Sequence, residues 1–133
     1  AYVNKEYCEI IEGIDFFEFN KPVDCIVGNP PYSIWNDWLE HTLKLQPNRF
    51  CYIFSFQNFT TTRLHNITSQ GYGITKIHIC KVDWWLSTSI IAVFEKGKES
   101  IISVEAKTIQ CDVCNTRCNR GCKGLSYNEC QKK

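Results

Sequence analysis

The sequence predicts an α/β fold: an open sheet layered with helices, followed by a small cysteine-rich appendage. Three observations carry this. Short apolar runs alternate with segments of helical period through residues 1–106; the last two apolar runs follow one another with only a short connection between them; and five of the nine cysteines crowd into residues 111–130.

The elements follow in chain order. "CEIIEGIDFFEF" (8–19) opens with a strand-like run that ends at Asp15 and two phenylalanines. Residues 24–28, "DCIVG", form a short continuous apolar run of the kind found in strands covered on both faces. Asn29 leaves that strand. Pro30 and Pro31 then fix φ at about −65°, remove two backbone donors and hold the preceding residues extended. From Ser33, a suitable N-cap, Trp35, Trp38, Leu39, Thr42 and Leu43 fall on one helical face, and Pro47 stops the helix. "RFCYIFSF" (49–56) reads as the next strand, and "TTTRLHNITSQGYG" (60–73) as a capped helix closing at Gly71 or Gly73. "ITKIHIC" (74–80) and "SIIAVFEKG" (89–97) are two further strands, joined through Lys81-Val82-Asp83-Trp84-Trp85. In such a layered sheet the ligand crevice is expected at the carboxyl ends of the strands, which places Asp15 and Asn29 on one edge.

The formal net charge of the 133-residue chain is +1, so bulk electrostatics selects no partner. The charge is unevenly placed. Residues 107–133 carry six basic and two acidic side chains, against nine and twelve in residues 1–106. No run of about 18 apolar residues occurs, and no basic stretch leads into an apolar one at the start. Neither a membrane span nor a signal peptide is expected, and the expected location is the cytoplasm. Nine cysteines and two sequons, at Asn58 and Asn66, also suit a secreted, disulfide-stapled domain. Against this, Cys8, Cys25, Cys51 and Cys80 are scattered, mostly in strand-like runs where a free thiol acts as a small hydrophobe.

The loop "NPPYS" (29–33) suggests chemistry. A rigid, donor-poor strand end that presents an amide oxygen (Asn29), a carbonyl (Pro30) and an aromatic ring (Tyr32) suits a planar ligand with an amino group. Two acceptors take its two N–H bonds while the ring stacks on its face. Preorganised acceptors act on the charge that develops during reaction, so no general base with a matched pKa is needed. The simpler alternative is an ordinary proline-rich turn.

With these residues in place, the chain resembles the amino-directed, adenine-specific DNA methyltransferases that use S-adenosylmethionine. The resemblance runs from about Tyr7 to Gly97, and "DCIVGNPPYS" is its strongest element. It implies a Rossmann-like methyltransferase sheet and an enzyme that methylates the exocyclic N6 amine of a flipped adenine in DNA, with Asn29, Pro30, Pro31 and Tyr32 as catalytic residues. "EGIDFFEF" looks like the acidic motif at which Asp15 approaches the adenine of the methyl donor and Phe16 packs on it. "WWLSTSIIAVFEKG" looks like the late motif whose aromatic side chain covers the other face of the target base, with Trp85 favoured by position and Trp84 as the alternative. Burial of either tryptophan in the core is the competing reading.

The glycine-rich loop that wraps the methionine part of the donor should precede Asp15 by several tens of residues, yet only fourteen residues come before it. Residues 1–106 are therefore expected to be the C-terminal part of a catalytic domain, completed by a second chain or by a longer N-terminus. A target-recognition domain is also missing. Motifs of the NPPY type occur as well in enzymes that methylate glutamine side chains or RNA bases, and a non-catalytic nucleic-acid-binding remnant is the reading from a different class.

The tail, residues 107–133, spaces its cysteines C-x2-C, C-x3-C, C-x3-C. Four thiolates at Cys111, Cys114, Cys118 and Cys122 suit a tetrahedral structural zinc, with Cys130 as a replacement ligand. Disulfides and free thiols remain the alternatives. Arg117, Arg120, Lys123, Lys132 and Lys133 are placed to touch phosphate if the tail meets nucleic acid. Metal analysis of protein purified without chelator should find about one zinc per chain; an ordered, metal-free tail held by disulfides would refute the zinc reading.

Overall fold

A computed structural model describes Gly13 and residues 15–105. The expected strand before Asp15 and the cysteine-rich tail lie outside the described residues. The elements are β1 (Cys25–Gly28), α1 (Trp35–Leu45), β2 (Arg49–Ser55), α2 (Thr61–Ser69), β3 (Tyr72–Cys80) and β4 (Ser89–Lys96), with short 3-10 turns at Phe16–Glu18 and Tyr32–Ile34. They form a mixed four-stranded sheet in the order β1-β2-β4-β3. β1 and β2 are parallel, joined by the crossover through α1, and β4 runs antiparallel between β2 and β3. The molecule is thus an α/β protein, as the sequence indicates.

Register decides which side chains meet the helices. The pairs Phe50↔Phe94, Tyr52↔Ala92 and Phe54↔Ile90 share one face of β2 and β4, and all six residues are buried. Trp35, Leu39 and Leu43 of α1 and Leu64 and Ile67 of α2 close the same core. The opposite face carries Cys51, Ile53, Ile91 and Val93, each half-buried, and Val27, which is 74% exposed. This corrects the expectation of a strand covered on both faces. β1 is the edge strand of the described sheet, and its apolar composition reflects one covered face rather than two.

Helix α1 begins one residue later than a Ser33 cap would set it. Its N-cap is Ile34, with no side-chain cap, because Tyr32–Ile34 first make a 3-10 turn closed by the Ile34 N–H donating to the Pro31 carbonyl at 3.2 Å. Its other end matches the sequence reading. Gln46 adopts a left-handed conformation (φ 51°), its N–H reaches the Leu43 carbonyl, and Pro47 ends the helix. Helix α2 is capped by Thr60, whose hydroxyl accepts from the Arg63 N–H.

One buried polar link ties α1 to β2. The Thr42 hydroxyl donates to the Trp38 carbonyl one turn back (2.9 Å), so the Tyr52 phenol is the donor in the 2.6 Å bond to Thr42 Oγ1. Burial pushes the Tyr52 phenol well above its ordinary value of 10.0. The folded state therefore holds that proton more tightly than the unfolded chain. The associated stability is present at neutral pH and is lost as pH rises past the ordinary phenol value.

After β4 the chain turns at Gly97 and runs back across β3. The Gly97 N–H donates to the Gly71 carbonyl and the Ile101 N–H to the Ile74 carbonyl, both at 2.8 Å. A Cβ on Gly73 would lie 2.6 Å from the Lys98 carbonyl carbon and closer still to its oxygen, whereas one on Gly28 would meet the Tyr52 ring at an ordinary 3.6 Å. Gly73→Ala should therefore cost about 2 to 3 kcal/mol of stability and Gly28→Ala well under half of that. Equal urea midpoints for the two variants would contradict the close crossing.

Candidate functional site

A cavity of about 500 Å³ opens at the carboxyl ends of β1 and β2, lined by Asn29, Pro30, Pro31, Tyr32, Trp84, Trp85, Leu86 and Ser87. The first wall is the loop that follows β1. Pro30 is fully buried while Asn29 and Pro31 are exposed, and Tyr32 keeps 44% of its surface. The Pro31 carbonyl is taken by the Ile34 N–H. By contrast, the Asn29 side chain and the Pro30 carbonyl make no hydrogen bond among the described residues, and neither does the Tyr32 hydroxyl.

The second wall comes from the β3–β4 connection, some fifty residues further along the chain. The Trp85 N–H donates to the Val82 carbonyl at 3.0 Å, and the Lys81 ammonium donates to the Trp85 carbonyl, so both backbone groups of Trp85 are fixed. Trp85 is half-buried, whereas Trp84 is 81% exposed and Leu86 wholly so. A 2.9 Å bond from the Phe56 N–H to the Thr88 carbonyl ties the far end of this connection to β2.

Behind the site lies a polar network that sequence reading missed. Arg63 donates from Nη1 to the Asn58 carbonyl (3.0 Å) and side chain (2.8 Å), and from Nε to Asn36 Oδ1 (2.9 Å). Its guanidinium sits 5.8 Å from the centroid of the Trp35 ring. Asn58 in turn donates to Ser55 Oγ at 2.7 Å. This network links the start of α2, the turn after β2 and the first turn of α1, the element that follows Tyr32. Its only trace in the sequence is a lone arginine among threonines, which carries no spacing signal. Leu86 and Ser87, which also line the cavity, lie in a connecting loop with no periodicity to betray them.

The residues expected to meet the methyl donor are placed elsewhere. Asp15 caps the 3-10 turn, its Oδ1 accepting from the Phe17 N–H at 3.0 Å. Phe16 is 6% exposed, stacked on Trp38 at 4.2 Å between ring centroids and edge-on to His41 at 4.9 Å. Its ring is thus covered by two side chains of α1. Neither Asp15 nor Phe16 lines the cavity at Asn29.

Among the described residues no group of three His, Cys, Asp or Glu side chains is placed to hold a metal. Cys111, Cys114, Cys118 and Cys122 lie outside the described residues. No described helix is long and apolar enough to cross a membrane.

The cavity lining is uncharged, has two unengaged oxygen acceptors beside a ring face, and is walled on the other side by an indole. It can take a planar group whose N–H bonds point at the acceptors, and it offers no general base. Compared with known proteins, the chain matches no family model, no curated protein and no solved structure.

Proposed function

We propose that this chain supplies the amine-binding part of an S-adenosylmethionine-dependent methyltransferase acting on the N6 amine of adenine in DNA. One observation carries the reading: the Asn29–Tyr32 loop and the Trp84–Ser87 segment, distant in sequence and each resembling a part of that family's base site, line one cavity.

In this reading Tyr32 and Trp85 hold the purine between an aromatic ring and an indole. Asn29 Oδ1 and the Pro30 carbonyl accept the two amino hydrogens. The lone pair of that nitrogen is conjugated into the ring, and acceptors on both hydrogens favour a pyramidal, more nucleophilic nitrogen. As the nitrogen is alkylated it gains positive charge, which the same oxygens stabilise at little reorganisation cost because two prolines fix the backbone that carries them. The proton then leaves to water through the open mouth.

S-adenosylmethionine would supply an electrophilic methyl group. Asp15 and Phe16 do not line the cavity at Asn29, and Phe16 is buried against Trp38. The donor site is assigned to residues outside the described ones or to a second chain.

Two sets of measurements follow. In the assembly that transfers methyl groups, Asn29→Ala should lower the single-turnover rate on adenine-containing DNA by about 10² to 10³. Tyr32→Ala should weaken substrate binding by roughly 1 to 3 kcal/mol with a smaller effect on rate. Tyr32→Phe should be silent, as the hydroxyl has no partner. Full rate in a folded Asn29→Ala protein would reduce the loop to a turn and end this reading. For the chain alone, calorimetry should find no saturable binding of S-adenosylmethionine in the micromolar range, and micromolar affinity would show that the donor site is already formed.

A further inference from the structure

The width of the cavity is not set by a bond across it. Among the described residues, no hydrogen bond or ring contact joins the Asn29–Tyr32 wall to the Trp84–Ser87 wall, and the two loops leave the sheet on either side of β2. The gap is therefore held from behind, by whatever anchors each loop.

Both lines of support lead to Arg63. On the first wall, Tyr32 opens the 3-10 turn that runs straight into α1, and Asn36 in the first turn of α1 accepts from Arg63 Nε at 2.9 Å. The same guanidinium lies 5.8 Å from the centroid of the Trp35 ring, at the junction of turn and helix. On the second wall, Thr88 follows Ser87 and its carbonyl accepts from the Phe56 N–H at 2.9 Å. Phe56 begins the turn after β2, and Asn58 of that turn takes two bonds from Arg63 Nη1, at 3.0 Å on its carbonyl and 2.8 Å on its side chain. Asn58 is fixed in turn to Ser55 Oγ at 2.7 Å. A guanidinium presents five donors in one rigid plane and stays charged at any working pH, so one side chain can hold both supports at a set separation.

We infer that Arg63 is a positioning residue for the cavity: acting through Asn36 on one wall and Asn58 on the other, it sets the gap between Tyr32 and Trp85. Arg63 lies on α2 and lines no part of the cavity, so it reaches a ligand only through these two asparagines. The inference rests on the amine-site reading only where a nucleotide serves as probe.

The test is residue-resolved amide hydrogen exchange of the full chain with Arg63→Met, Asn36→Ala and Asn58→Ala. The Ile34 N–H, bonded to the Pro31 carbonyl, reports on the first wall, and the Phe56 N–H, bonded to the Thr88 carbonyl, on the second. Arg63→Met should speed exchange at both by about 10- to 100-fold while amides in the centre of β2 and β4 keep their rates. Asn36→Ala should act on Ile34 alone, and Asn58→Ala on Phe56 alone. Equal acceleration of the central strand amides in Arg63→Met would reduce Arg63 to a contributor to global stability and overturn the inference, as would an unchanged rate at either reporter. Should Arg63→Met not fold, the asparagine variants decide, and equal effects on both reporters in either one would contradict separate supports. Adenosine monophosphate should also bind about tenfold more weakly to folded Arg63→Met, because a slot that is no longer preorganised must be ordered on binding; unchanged affinity would overturn the positioning role. The two readings fail separately. Absence of nucleotide binding to the unsubstituted chain counts against the amine site, and the exchange pattern, which needs no ligand, still decides the role of Arg63.

Discussion

The aromatic seam between α1 and β2 is the constraint on which the rest depends. Trp35 stacks on Phe54 at 4.4 Å and meets the edge of Tyr52 at 5.6 Å, while Tyr52 donates to Thr42 about two turns further along the same helical face. Trp35 opens α1 three residues after Tyr32, so the seam fixes one end of the proline loop, and the parallel pairing of Gly28 with Tyr52 fixes the other. Between two anchors on the same strand, Asn29 to Tyr32 have little freedom, and Pro30 and Pro31 remove most of what remains. Rigid presentation of oxygen acceptors is thus a property of packing, set in the core and expressed at the edge.

The second wall depends on the strand order. Because β4 pairs with β2 along its whole length, the connection before it must cross the carboxyl end of β2, where the cavity opens. A simple hairpin on the outer edge would have left Trp84 and Trp85 far from Asn29. The Arg63 network then braces α2, the turn after β2 and the start of α1 against one another, so that the loop's supports move together.

Much of this was legible in the sequence, for identifiable reasons. The face of α1 was readable because Trp35, Leu39, Thr42 and Leu43 repeat at helical spacing and are all buried. The cavity loop was readable because consecutive prolines after an apolar run admit few conformations. What escaped depends on tertiary partners. An apolar run such as residues 25–28 has the same composition whether one or two faces are covered, so the exposure of Val27 left no mark. Ser33 looked like a cap, yet the 3-10 turn closed by Pro31 moved the helix start to Trp35. The stacking of Phe16 on Trp38 is a contact 22 residues apart that no local pattern encodes.

The central claim is that the Asn29–Tyr32 loop binds an amine through its two hydrogens. Proton–nitrogen correlation spectra of the labelled chain, titrated with adenosine monophosphate and with its N6,N6-dimethyl analogue, test this most directly. The account predicts shifts confined to Asn29, Tyr32 and residues 84–87 for the first ligand and much weaker ones for the second, which has no N–H to offer. Equal binding of both ligands, or shifts centred elsewhere on the molecule, would contradict it.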